Sequence, residues 1–208
     1  MVAPPAGTGL PPFGAGMRVG LFGGSFDPPH RGHLEVSTVA LRTLGLDEVW
    51  WLVSPQNPLK PHAPSSDLAR RMAAARALVR HPRIRVTGIE AALGTPTTAE
   101  TMDRLLPRLE GVRPVWMMGA DNLAGFHRWR RWRSIAARVP IAVFNRPGSM
   151  LPALASPAAR TMERWRLRPR EAAALAETPP PAWVFLPSPH SAVSSSALRR
   201  AAAGRAAS

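Results

Sequence analysis

Residues 19–35 read V-G-L-F-G-G-S-F-D-P-P-H-R-G-H-L-E. The apolar run 19–22 has the character of a buried strand. It stops at Gly23-Gly24, where the backbone turns without a Cβ penalty. Pro28 and Pro29 stiffen the loop and forbid helix until they are passed. A helical pattern opens at Gly32-His33-Leu34. The order is therefore strand, glycine turn, helix N-terminus. That arrangement directs backbone N–H groups and the positive end of a helix dipole to one point, which suits a phosphate. His30 and His33 lie three apart there, so both rings can face one anion. Neither G-x-x-x-x-G-K-[ST] nor G-x-G-x-x-G is present at the turn. The bland alternatives are histidines that only cap the helix, or a zinc pair. Zinc needs a third protein ligand, and the chain has no cysteine and no H-E-x-x-H.

Outward from this turn, short apolar runs alternate with helical patterns. Strands are expected at 49–53, 84–89, 114–118, 141–144 and 183–186, after the first at 19–22. A helix is expected from about 32 to 44, with Leu34, Thr38 and Leu41 on its apolar side and Gly45 at its end. A second should run 68–79, with Leu68, Met72, Ala75 and Val79 as a core stripe. A third should follow Thr95-Pro96-Thr97-Thr98 until Pro107 ends or kinks it. A fourth should span 158–167. This alternation predicts an α/β fold: a Rossmann-like doubly wound sheet, mostly parallel, with five to six strands and helices on both faces. Its site belongs at the switch point, where the first and fourth strands part. Residues 1–16 are rich in Pro, Gly and Ala and are expected to be a disordered tail, with one domain over 17–208.

The 208 residues carry a formal charge of +14, with Lys60 as the one lysine among 27 basic residues. A polyanionic partner is one reading and solvated arginine on helix faces is the other. The basic residues are spread along the chain, so no specific nucleic acid is expected. The N-terminus lacks a secretory signal, and no apolar run approaches a membrane span. A cytoplasmic protein is expected.

Four further stretches bear on a site. The proline-rich loop 54–64 leaves the carboxyl end of a strand and carries Lys60 and His62, which are either solvent-exposed loop cations or, for Lys60, a contact to a phosphate, the reading that the position of the loop favours. Gly119-Ala120-Asp121-Asn122 follows the fourth strand directly, and Asp121 is either a simple N-cap or an acid of the site. Residues 126–135, F-H-R-W-R-R-W-R-S-I, interleave aromatics with arginines. That is an RNA-binding stripe, an amphipathic helix with Trp129 and Trp132 partly buried, or a tryptophan face offered to a flat heterocycle. Ser194, Ser195 and Ser196 precede a last helix, with Arg199 one turn on, forming a second phosphate-shaped site. In a doubly wound sheet both ends of the chain can reach one carboxyl edge. Two histidines, helix-start amides, hydroxyls and an arginine suit a triphosphate. No covalent nucleophile can be assigned, so direct displacement at phosphorus fits, with Mg²⁺ assisting.

Residues 23–33, G-G-S-F-D-P-P-H-R-G-H, resemble the G-x-[ST]-F-D-P-x-H-x-G-H signature of the HxGH nucleotidyltransferase superfamily. Residues 193–199, V-S-S-S-A-L-R, are similar to its partner motif [IV]-S-[SA]-[ST]-x-[IL]-R. Within the superfamily the chain resembles the bacterial nicotinate-nucleotide adenylyltransferases. That resemblance rests on S-P-Q-N-P-L-K-P-H (54–62), T-P-T-T-A-E-T-M (95–102), M-G-A-D-N-L (118–123), F-H-R-W (126–129), W-R-S-I (132–135) and F-N-R-P-G (144–148).

The resemblance implies ATP and nicotinate mononucleotide as substrates, nicotinate adenine dinucleotide and pyrophosphate as products, and a late step of NAD synthesis. It makes His30 and His33 contacts of the ATP phosphates, with His33 the main transition-state stabiliser, and it places Ser194, Ser195 and Arg199 on the other side of them. Gly23, Gly24 and Ser25 let the backbone approach ATP and the mononucleotide, beside Phe26. Gly119 and Asp121 fall at the adenosine side, Thr98 at the nicotinate carboxylate, Trp129 over the pyridine ring and Lys60 near the phosphates. No protein metal site is implied, because Mg²⁺ is held mainly through ATP phosphates. A homo-oligomer is compatible.

Three positions depart from the family pattern: Ser25 and Ser196 where threonine is frequent, and Thr97 where tyrosine often stands. The competing acceptors are nicotinamide mononucleotide and phosphopantetheine. The competing class is a basic nucleic-acid-binding module.

Overall fold

The computed structural model describes residues 9–55, 67–145 and 149–187. Lys60, His62, Ser194, Ser195, Ser196 and Arg199 lie outside the described residues.

Seven strands form one sheet in the order β3-β2-β1-β4-β5-β7-β6, with parallel pairing at every junction. They are β1 (Arg18–Gly24), β2 (Glu48–Val53), β3 (Ile84–Thr87), β4 (Arg113–Gly119), β5 (Ile141–Phe144), β6 (Arg166–Leu167) and β7 (Trp183–Leu186). The helices are α1 (Arg31–Thr43), α2 (Leu68–Leu78), α3 (Ile89–Leu93), α4 (Thr98–Leu105), α5 (Ala120–Gly125), α6 (Trp132–Ala136), α7 (Met150–Leu154) and α8 (Pro157–Met162). The order reverses between β1 and β4, as the sequence predicts, so the crevice opens at their carboxyl ends.

The sheet divides two apolar layers because successive side chains of a strand point to opposite faces. In β2, Trp50 belongs to the layer containing Met102, Leu123 and Ile135, while Trp51 belongs to the layer containing Val36, Ala40 and Ala75. Both rings are fully buried. Thus α1 and α2 cover one face, and α4, α5 and α6 cover the other. Among the described residues no helix is long and apolar enough to cross a membrane.

Several expectations are corrected. The seventh strand, β6, is only two residues long and pairs with Trp183 and Val184. It occupies the end of the helix expected over 158–167, because α8 stops at Met162. The third strand ends at Thr87, since Gly88 is the N-cap of α3. The buried side of α1 is Val36, Ser37, Ala40 and Leu41 rather than the line through Leu34 and Thr38. Ser37 explains the rotation: its hydroxyl accepts from the Trp51 indole N–H and donates to the His33 carbonyl, both at 2.8 Å. The tail expected over 1–16 is packed from Leu10, which is buried. Phe13 lies against Trp50 at 6.2 Å, and the Gly16 N–H donates to the Gly111 carbonyl at 2.7 Å.

Candidate active site

The β1–α1 turn delivers both histidines to the N-terminus of α1. His30 is the N-cap, in extended conformation, and His33 is the third helical residue. Both are buried. The His30 backbone N–H donates to His33 Nδ1 at 3.1 Å. A nitrogen that accepts cannot carry the proton, so the hydrogen of the His33 ring belongs on Nε2. The ring is held on its flanks by Phe22 at 6.0 Å, Phe26 at 4.8 Å and Trp51 at 5.7 Å. Capping and anion binding are therefore compatible readings of His33, because they use different nitrogens.

Phe26 has φ +46°, an uncommon left-handed conformation for a residue with a Cβ. Its ring stacks on Trp51 at 4.7 Å and 12°, and the residue is buried. The Phe26 side chain is therefore part of the core.

Across the carboxyl ends of the strands lies a cleft of about 390 Å³. Gly23, Gly24 and Ser25 of the first turn form one wall, with Ser54 beyond β2. Thr97 and Thr98 at the start of α4 form a second, and Trp129 with Arg128 and Arg130 a third. The Thr97 hydroxyl accepts from the Glu100 N–H at 3.4 Å, so α4 opens on a side-chain cap. The amides of Thr98 and Ala99 are then the first-turn donors that suit a carboxylate. Trp129 is half-buried, and Phe126 supports it edge-on at 5.3 Å and 77°.

Residues 126–135 are not one amphipathic helix. A 3₁₀ turn, Phe126–Arg128, gives way to extended Trp129, and Arg131 has φ +55° before α6 begins. Nor is the segment a free basic stripe. Arg130 pairs with Glu100 at 3.1 Å, and Arg131 with Asp103 at 2.7 Å. Arg138 also meets Asp103, whose carboxyl is held below its ordinary pKa by the Arg131 hydrogen bond first of all. Trp132 is buried against Phe126. The arginines thus strap the Trp129–α6 segment to α4, whose first residue, Thr98, lines the same cleft as Trp129.

At the end of β4, Gly119 is the N-cap of α5, and Asp121 is an exposed acid in its first turn. Asp121 is not the cap, and Asn122 rather than Asp121 lines the cleft.

Four residues of the site escaped the sequence reading. Trp116 lines the cleft from β4 and packs its six-membered ring against Gly23. Asn122 is the second. Glu90, the third, is buried in the cleft wall. Burial pushes its carboxyl up to about 7, against a hydrogen bond with Ser54 that favours the charged form. Arg71 lies beneath the wall, donating to backbone carbonyls of both loops. A lone acid in G-I-E-A-A-L was a signal for Glu90. Arg71 falls on the buried stripe of α2, three residues after Leu68 and four before Ala75.

The family model described as cytidylyltransferase-like matches residues 21–201. A protein of Cereibacter sphaeroides named probable nicotinate-nucleotide adenylyltransferase is 56% identical over 183 residues, 88% of this chain and 96% of that one. The chain belongs to the nicotinate-nucleotide adenylyltransferase family. A Rhizobium meliloti member of the same name is 51% identical over 188 residues, covering 90% of this chain and all of its own. Among solved structures, the nicotinic acid mononucleotide adenylyltransferase of Plasmodium falciparum complexed with NaAD has the same fold. Its TM-score is 0.65 at 13% identity, over 88% of this chain and 83% of that one.

Proposed function

We propose that this chain transfers the adenylyl group of ATP to nicotinate mononucleotide, yielding nicotinate adenine dinucleotide and pyrophosphate. The observation that carries this reading is the cleft beside the β1–α1 turn. It is lined by both a capped helix start at Thr98 and Trp129. A flat ring bearing a carboxylate suits that pair: amides for the anion, an indole face for the ring.

In the reaction a phosphate oxygen of the mononucleotide forms a bond to the α-phosphorus of ATP. The bond from that phosphorus to the bridging oxygen breaks, and pyrophosphate leaves. The protein forms no covalent intermediate. His33 Nε2–H and the first-turn amides of α1 donate to oxygens that gain charge as the bond breaks. Gly23, Gly24 and Ser25 allow the two phosphates to approach the turn. The site roles of Lys60, Ser194, Ser195 and Arg199 remain part of this proposal, with the serines and arginine on the far side of the triphosphate.

Among the described residues there is no group of three or more His, Cys, Asp or Glu side chains able to hold a metal. In this proposal Mg²⁺ enters with the ATP phosphates and would supply charge neutralisation there.

The test is pyrophosphate release from ATP and Mg²⁺ with a panel of acceptors. Preference for nicotinate mononucleotide over its amide is expected. Equal or reversed preference overturns the acceptor assignment, and no release with any mononucleotide overturns the reaction.

A further inference from the structure

Arg71 is 2% exposed, although it stands in the first turns of a surface helix. Its guanidinium reaches under the cleft. One terminal nitrogen donates to the Ser25 carbonyl at 2.6 Å and to the Ser54 carbonyl at 2.7 Å. The other donates to the Pro55 carbonyl at 2.9 Å. Ser25 follows β1 and Ser54 follows β2, so three fixed donors join the loops that leave two neighbouring strands. The Ser54 N–H donates to the Gly24 carbonyl at 3.0 Å and makes the same junction once more. Ser25 and Ser54 both line the cleft.

Burial lowers the pKa of Arg71, and the carboxylates of Asp27 and Asp67 raise it. Asp27 is the acid of the F-D-P-P stretch.

We infer that Arg71 is a positioning residue for adenylyl transfer, fixing the β1 turn and the β2 loop as one rigid wall that sets where the acceptor phosphate meets the triphosphate. This rests on the function proposed above. The guanidinium does two things that a carbonyl-lined loop cannot do alone. It satisfies three half-buried acceptors with a planar fork of donors, and it places a permanent positive charge under a site for anions. Removing it frees the Ser25 carbonyl and the left-handed Phe26 that follows to relax, and the turn then loses its shape.

The test compares wild type with Arg71→Ala, Arg71→Lys and the exposed neighbour Arg70→Ala. Steady-state pyrophosphate release is measured against both ATP and nicotinate mononucleotide, and thermal melting is measured for each variant. For Arg71→Ala, kcat should fall and the mononucleotide KM rise, with kcat/KM down roughly a hundredfold, as misplacement of reacting groups costs. Arg71→Lys should recover part of that loss, since an ammonium restores charge and some of the donors. Arg70→Ala should stay within about twofold of wild type, as surface changes do. Both Arg71 variants remaining within about threefold of wild type would overturn the inference. So would a loss in Arg71→Lys that appears only as a lower melting temperature with unchanged KM. If Arg71→Ala fails to fold, the lysine variant decides alone. A wild-type enzyme inactive on every mononucleotide would instead refute the proposed reaction.

Discussion

The backbone N–H of His30 donates to Nδ1 of His33, and the two imidazoles stand 3.8 Å apart. The helix start therefore chooses the tautomer, and the outer nitrogen of His33 becomes a donor without any further residue. His33→Ala should lower kcat on the order of a hundredfold, as loss of one aimed donor does elsewhere. It should also lose roughly 1 kcal/mol of stability with the cap. Steady-state kinetics and urea unfolding separate the two effects. Near-normal turnover in a folded variant would refute the assignment.

Gly23 is glycine because Trp116 lies on it. A Cβ there would meet Cη2 and, at 2.9 Å, Cζ2 of the indole. Both residues sit in adjacent central strands, so the ring, which also lines the cleft, must yield rather than the backbone. Gly23→Ala should cost about 1–3 kcal/mol in urea unfolding, as overpacking does, and raise the mononucleotide KM about tenfold or more through the displaced wall. An unchanged KM would show that the cleft does not need this wall.

Trp129 and Trp132 are three apart and should fail differently. Trp129→Ala should raise the mononucleotide KM roughly tenfold, the scale of one lost aromatic contact, and leave stability nearly unchanged. Trp132→Ala should cost about 3–5 kcal/mol in urea unfolding, because that ring is 8% exposed within the core. The reverse pattern would place the acceptor elsewhere.

Glu90 has a folded-state pKa of about 7, above its ordinary 4.5, owing to burial. The folded state therefore keeps a proton that the unfolded chain releases between those values. Stability falls as pH rises from about 4.5 through 7, by up to about 3 kcal/mol. Glu90→Gln removes the titrating group and keeps a partner for Ser54. Its advantage over wild type should be small at pH 5 and approach that figure at pH 8, by urea unfolding. Parallel curves at the two pH values would disprove the shift.

Much of the fold was legible because its signals are local. Trp50 and Trp51 sit in a fully buried run between turn residues, and Thr97 caps α4 where a threonine-rich turn predicts a start. The two-residue β6 has no period to read. The break at Arg131 is set by its left-handed backbone and by Asp103, which comes 28 positions earlier in the chain.

By itself, the sequence determined the strand–turn–helix units, the switch point between β1 and β4, and the pair of histidines on one helix mouth. Glycine, proline and apolar spacing act within a few residues, and those features follow from them. Tertiary structure alone decided that Phe26 is core, that Glu90 and Trp116 wall the cleft, and that Arg71 holds two loops together. Each of those depends on burial and on contacts between segments remote in sequence, which spacing along the chain does not encode.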